Sequence, residues 1–174
     1  MARSNALGLV SCGLLGLACL MFILSNALPS WGVVKLGGVT VAEGGLWRQC
    51  VKFGTNTCAN RPLGCSGVPS SLIGQCIKLI MARVFIIFAC MLSAFGALFL
   101  FMVGISQSPN ASFSMFGKAC AAVSLMSGIL GVSLGISWAM YGGDVTVGAA
   151  AILGIVGIIL SFISTVFAVM IPKN

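Results

Sequence analysis

Residues 44–58 read GGLWRQCVKFGTNTC and lie between one long apolar run and the next. A Gly-Leu-Trp triplet is followed by Cys50 and then by Cys58, and Trp31 lies upstream. Between residues 33 and 53, β-branched and aromatic residues are separated by paired glycines. This pattern predicts two or three short antiparallel strands joined by tight turns. Because so small a sheet is only marginally stable in water, we expect cross-links to hold it together.

The rest of the chain has the composition of an integral membrane protein. Apolar residues make up 59% of the sequence, and the mean hydropathy is +1.16. A membrane span needs about 20 apolar residues, and four runs meet that length. We expect helices over about 6–28, 77–105, 117–141 and 145–171, and one large loop over about 29–76. The predicted fold class is an all-α bundle of four transmembrane helices with a small antiparallel β-sheet formed mainly by the large loop, in one domain over 1–174.

The large loop contains half of the cysteines in the chain. They are Cys50, Cys58, Cys65 and Cys76. Four cysteines allow three pairings, and we favour Cys50 with Cys58 and Cys65 with Cys76, because each pair would close a local turn. Each bridge would stabilise the loop by about 2–4 kcal/mol. Free thiols or a zinc site are the alternatives, but metal is disfavoured because the chain has no histidine and no CxxC motif. Disulfides need an oxidising compartment, which places this loop outside the cytosol.

The other four cysteines fall within the predicted helices. They are Cys12, Cys19, Cys90 and Cys120. We interpret them as small packing residues, with palmitoylation of Cys120 as the alternative.

Two features of the sequence argue against placing the large loop outside the cytosol. The large loop is basic and contains Lys35, Arg48, Lys52, Arg61 and Lys78, so the positive-inside rule would place it in the cytosol. The sequon at Asn110 would be glycosylated only if the connection after the second helix were luminal. Four cysteines in one loop outweigh both signals. We therefore assign both termini to the cytoplasm.

Small residues recur at spacing four along three of the helices, which lets helix backbones approach closely in lipid. The sets are Gly8, Cys12 and Gly16; Ser127, Gly131 and Gly135; and Gly157 and Ser161. Packing inside the bundle is favoured over an interface between copies. The aromatic residues Trp31, Trp138 and Tyr141 lie near the predicted outer boundary, so we expect their rings at the lipid headgroup level.

Arg83 lies about one turn inside the second helix, where an unpaired cation would be costly. It should extend toward water or bind carbonyl groups of the sheet. A role as substrate or ion ligand is disfavoured because no intramembrane carboxylate accompanies it. The prediction is a structural clamp between bundle and loop.

Together these residues resemble the signature of the claudin superfamily. It comprises claudins, peripheral myelin and epithelial membrane proteins and stargazin-type subunits, and the matching positions here are Trp31, Gly45, Leu46, Trp47, Cys50, Cys58 and Arg83. The resemblance implies a left-handed bundle beneath an antiparallel extracellular sheet, with the Cys50–Cys58 bridge linking two strands. It also implies a plasma-membrane protein at cell–cell contacts, and a divergent or invertebrate member is expected.

Three departures from the claudin pattern bear on function. The connection at residues 142–144 looks too short to supply the extra strand and protruding loop of claudins. Cys65 and Cys76 are additional and predict an extra stapled lobe. The sequence ends at Asn174 without the tail that claudins offer to PDZ scaffolds.

Two functional classes remain. In the first, the protein self-associates to form or regulate a paracellular barrier or charge-selective pore, with Lys52 as the charge-selecting residue. In the second, it is an accessory subunit of an ion channel or receptor, and Arg48, Lys52 and Arg61 contact an acidic partner. The expected partners are membrane lipid and either further copies or a larger membrane complex, without nucleic acid. Catalysis and cofactor binding are disfavoured because Glu43 and Asp144 are the only acids and histidine is absent.

Overall fold

A computed structural model describes residues 2–52, 56–106, 111–141 and 145–171, without the side chains of residues 2–4. It contains four long helices and five short strands. The helices are α1 (Ala2–Ala27), α2 (Ile73–Ile105), α3 (Ala111–Ala139) and α4 (Ala149–Val169). The strands are β1 (Gly32–Leu36), β2 (Val39–Gly44), β3 (Arg48–Val51), β4 (Thr57–Asn60) and β5 (Val145–Val147). A short 3₁₀ turn, Ser70–Leu72, precedes α2.

All four helices are long and apolar enough to cross a membrane. Large apolar side chains on the outer faces of all four helices are exposed, which suits lipid and not water. The predicted class, a transmembrane four-helix bundle with a small antiparallel sheet, is confirmed. The protein is therefore a multi-pass membrane protein, and lipid is one of its partners.

The helix boundaries differ from those expected. Helix α2 begins at residue 73 instead of 77, and α3 begins at 111 instead of 117. Hydropathy detects the apolar centre of a helix, whereas both helices continue through more polar residues at their first turns. Helix α4 begins at 149 instead of 145, because the residues before it form a strand.

Neighbouring helices run antiparallel, and small residues bring them close. Along α1 and α2, Gly8 faces Gly104: a Cβ atom built on Gly8 would lie 3.1 Å from the Cα of Gly104. In α3, a Cβ on Gly131 would lie 2.7 Å from Cγ1 of Ile86 in α2. In α4, a Cβ on Gly157 would lie 3.0 Å from the Phe22 ring in α1. These contacts confirm that the small residues at these positions pack inside the bundle.

Buried serines add hydrogen bonds between the helices. Ser124 Oγ in α3 donates to the Ala89 carbonyl of α2 at 2.8 Å, and Ser164 Oγ in α4 donates to the Ser11 carbonyl of α1 at 2.8 Å. Such bonds tie helices together in a medium without competing water. The bundle core is therefore built from close backbone contact and short polar side chains.

The sheet has the strand order β4-β3-β2-β1-β5, and every neighbouring pair is antiparallel. The first four strands come from the large loop. Glycines at positive φ, Gly37 at 59° and Gly38 at 83°, form the β1–β2 turn, a conformation that other residues rarely adopt. The sheet is therefore larger than the two or three strands expected.

Strand β5 corrects the prediction that the connection after α3 is too short to supply a strand. Val145–Val147 pairs with β1, and Thr146 Oγ1 donates to the Val33 carbonyl at 3.0 Å. The backbone N–H of Gly148 then donates to the Trp31 carbonyl at 2.9 Å. Residues 142–144 themselves lie outside the described residues. The short connection thus reaches the sheet because α3 ends beside it.

Candidate functional site

The junction between the sheet and the bundle gathers the residues of the sequence signature. Trp31 is fully buried, and its Nε1 donates to the Ser25 carbonyl at 2.7 Å. Its ring fits beside Gly135, where a Cβ atom would lie 2.4 Å from the ring. The ring therefore lies inside the protein and not on its lipid-facing surface, because Gly135 leaves space for it within the core. Its depth relative to the lipid headgroups stays a prediction. Tyr141, by contrast, is 59% exposed.

Arg83 joins the bundle to the loop. It is 3% exposed, and its Nε and one terminal nitrogen donate to the Leu46 carbonyl at 2.9 and 2.6 Å. The other terminal nitrogen donates to the Pro62 carbonyl at 3.0 Å. The predicted binding of loop carbonyls by Arg83 is confirmed. Guanidinium donors suit this position because their planar fork serves two carbonyls at once.

Trp47 completes this contact from the sheet side. The Arg83 guanidinium lies 4.6 Å from the centre of the Trp47 ring, within the range of cation–π attraction. Trp47 Nε1 donates to Asn26 Oδ1 at 2.8 Å, which ties the sheet to the last turn of α1. Leu46 is fully buried, and a Cβ atom on Gly45 would lie 2.4 Å from the Pro29 Cα. The Gly-Leu-Trp triplet is therefore a packing element that seats the sheet on the helix ends.

Arg61 forms a second contact of the same kind. Its Nε donates to the Gly45 carbonyl at 3.1 Å, and its guanidinium lies 4.6 Å from the centre of the Trp138 ring. Burial, and secondarily the charge of Arg83, lowers the pKa of Arg61 from its ordinary value. Arg61 was expected to meet a partner, but in the structure it is engaged within the molecule.

The structure contains both disulfides in the favoured pairing. Cys50 and Cys58 lie directly opposite each other on β3 and β4, with 4.1 Å between their Cα atoms. The second bridge joins Cys65 to Cys76 in the first turn of α2. The first bridge thus cross-links the sheet, and the second fixes the lobe that precedes α2.

Some of the basic side chains predicted for the large loop are paired within the molecule and are not free to bind a partner or an ion. Lys52 Nζ lies 2.5 Å from Glu43 Oε1, the only ion pair among the described residues. Lys78 Nζ donates to Ser137 Oγ at 3.2 Å. The side chains of Arg48 and Lys35 are exposed and make no hydrogen bond or ion pair with any described residue. Positive charge on the sheet surface is therefore carried by Arg48 and Lys35 more than by Lys52.

Two free cysteines lie next to each other in the bundle, which the sequence did not predict. Cys19 in α1 and Cys90 in α2 place their sulfur atoms 3.4 Å apart, and neither forms a disulfide. The sequence places both within apolar runs, but their alignment depends on the register between two helices. Asn110 of the sequon lies outside the described residues, and the two residues after it begin α3.

These features define a class: a four-span membrane protein whose loops build a disulfide-linked, five-stranded sheet on one end of the bundle. No model of a protein family matches the chain, and no curated protein matches its sequence.

Proposed function

We propose that the protein is a non-catalytic, claudin-like cell-contact protein of the plasma membrane. The sheet would face the cell exterior, with both termini in the cytoplasm. Through self-association of its sheets, the protein would form or regulate a paracellular barrier or charge-selective pore.

The observation that carries this proposal is the exposed apolar tip of the β1–β2 hairpin. Leu36 is 64% exposed and Val39 is 67% exposed, and both belong to the sheet and not to a candidate membrane span. Neighbouring apolar side chains at a protruding tip outside the lipid are suited to a contact with another protein. The hairpin tip is therefore the proposed contact surface.

The way the sheet is held supports the same conclusion. Arg83 and Arg61 bind loop carbonyls, and Cys50–Cys58 cross-links β3 to β4. A contact surface gains affinity when it is ordered before binding, because less entropy is lost. Strand β5 also removes one objection to the claudin resemblance, since the second connection does contribute a strand.

The disulfides support the proposed orientation. Two bridges in one loop need an oxidising compartment, and a cell-surface protein reaches it through the secretory route. If the assembled sheets enclose a pore, the exposed cation facing it would be Lys35, because Lys52 is paired with Glu43 and Arg48 lies at the helix ends beside Asn26. Such a pore would favour anions.

The experiment is expression in cells that lack junctions. We expect continuous strands at cell contacts in freeze-fracture images and a raised electrical resistance or anion preference across the monolayer. Leu36→Ser together with Val39→Ser should abolish the strands while leaving surface delivery unchanged. Leu63→Ser is the matched control, since it removes a leucine of 77% exposure from the lobe closed by Cys65 and Cys76. A dispersed wild-type protein at cell contacts would contradict the proposal.

A second candidate is an accessory subunit of an ion channel or receptor. The observation that favours it is the exposed guanidinium of Arg48, which has no ionic partner among the described residues and would suit an acidic partner surface. Co-purification of a channel or receptor, lost in Arg48→Glu, together with the absence of strands, would favour this candidate over the first.

A further inference from the structure

A groove lies between α1 and α2 directly beneath the sheet. Its volume is about 560 Å³, within the range of about 300–1,000 Å³ found for small-molecule sites. Its apolar walls come from both helices and include Phe22, Ile23, Ile87 and Met91. Because these residues belong to two candidate membrane spans, the groove opens onto lipid.

The upper end of the groove is polar and cationic. Arg48 and Asn26 line it there. Asn26 lies in the last turn of α1 and is hydrogen-bonded to Trp47. Asn26 Oδ1 accepts from Trp47 Nε1, which leaves the Asn26 side-chain N–H groups free to donate elsewhere. Donors at the end of a membrane span lie at the depth of lipid headgroups.

From this arrangement we propose that the groove binds one glycerophospholipid, with the lipid phosphate on Arg48 and Asn26 and an acyl chain between α1 and α2. Charge complementarity selects this occupant. Arg48 has no ionic partner among the described residues, and a guanidinium pairs with phosphate through two parallel hydrogen bonds. An apolar helix from another copy would fill the walls but leave the cation unpaired at the headgroup level. The site would fix a lipid under the sheet and so support Trp47 from the membrane side.

The test uses the full chain purified in mild detergent and native mass spectrometry to count retained lipids. The probes are dioleoylphosphatidylglycerol, dioleoylphosphatidylcholine and dioleoylglycerol, which share their acyl chains but differ in the headgroup. We expect both phospholipids to be retained roughly tenfold more strongly than dioleoylglycerol, because only they offer a charge-assisted hydrogen bond. Equal retention of all three would overturn the proposal.

Two pairs of variants separate the headgroup contact from the chain contact. Arg48→Gln should reduce phospholipid retention to the level of dioleoylglycerol, whereas Lys35→Gln, an equal loss of charge on the exposed β1 strand, should leave it unchanged. Ile87→Trp should fill the groove and reduce retention of all three lipids. Its control is Ile159→Trp, at a lipid-facing position of α4 that is 52% exposed.

Three results would contradict the assignment. Unchanged phospholipid retention in Arg48→Gln would show that Arg48 does not bind the lipid phosphate. Displacement of phospholipid by millimolar inorganic phosphate alone would indicate a soluble-anion site. Dimers that retain no lipid, and that dissociate in Ile87→Trp, would show that a second copy occupies the groove.

Discussion

The bundle and the sheet are held together by different means, although they belong to one chain. In the bundle, glycines and serines let helices touch, and few side-chain hydrogen bonds are needed because lipid offers no competing donor or acceptor. At the sheet, water competes, so stability depends on disulfides and on arginines that bind carbonyls. The junction at Arg83 is where the two regimes meet. A substitution at this junction should affect both regions, whereas one placed within the sheet or within the bundle should leave the other region intact.

The largest effect is expected at Arg83. Arg83→Met removes three hydrogen bonds and leaves the Leu46 and Pro62 carbonyls without this donor. Two of the three bonds share the Leu46 carbonyl, so two carbonyls lose a charged donor. At about 1.5–3 kcal/mol for each carbonyl, we expect a loss of roughly 3–6 kcal/mol. The measurement is unfolding of the purified protein in mild detergent by titration with sodium dodecyl sulfate.

Arg83→Lys is the matched variant for this prediction. It keeps the charge but not the planar fork, so an intermediate loss of stability is expected. Equal losses in the lysine and methionine variants would contradict the intermediate value and assign the whole effect to the planar fork of the guanidinium. Unchanged stability in Arg83→Met would contradict the clamp.

The second largest effect on stability is expected for the disulfides. Replacing both Cys50 and Cys58 by serine should cost about 2–4 kcal/mol of loop stability and release β4 from the sheet. Limited proteolysis should then cut near β4, while the helices stay protected. Replacing Cys65 and Cys76 should cost a similar amount but open the lobe before α2 instead. Identical cleavage patterns for the two double variants would contradict the separate roles.

Packing in the bundle gives a smaller effect. Gly135→Ala places a Cβ atom 2.4 Å from the buried Trp31 ring, and overpacking of this kind costs roughly 1–3 kcal/mol. Gly13→Ala is the control, because no atom lies within 4 Å of a Cβ atom there. It should be neutral or slightly stabilising, since alanine favours helix. Equal behaviour of the two variants in detergent unfolding would contradict the contact.

We expect the smallest effect on stability at Cys19 and Cys90. This pair also tests the register between α1 and α2. Their sulfur atoms are 3.4 Å apart, and a disulfide requires about 2.05 Å, so a small movement suffices. Treatment with copper phenanthroline should oxidise both thiols to one bridge, with the electrons passing to copper and oxygen. Peptide mass spectrometry should find Cys19 joined to Cys90, with Cys12 and Cys120 still free. A bridge to Cys12 or Cys120 would show that the register is wrong.

The parts of the structure that were predictable depend on local patterns. Four long apolar runs predict the spans, and Cys50 and Cys58 flank a predicted turn. For Arg83, a lone cation so near the end of an apolar run predicts extension toward water or binding of carbonyls, and the structure shows the second. Each of these inferences needs only nearby residues.

The parts that were missed depend on residues distant in sequence. Val145–Val147 is continuous with the apolar run of α4, so only its pairing with β1 reveals a strand. Trp31 is buried because Gly135 in another helix leaves room for its ring. The sequence shows Lys52 as one of five cations in the loop, whereas the β2–β3 pairing brings it to Glu43. Tertiary proximity of this kind leaves no local pattern to detect.

The central claim is that the sheet is a disulfide-linked cap on the non-cytosolic side of the bundle. Intact cells should be treated with a membrane-impermeant maleimide, before and after an impermeant reductant, and the labelled cysteines identified by peptide mass spectrometry. We predict that Cys50, Cys58, Cys65 and Cys76 are labelled from outside, and only after reduction. Labelling of these four without reduction, and only after the membrane is permeabilised, would contradict the account.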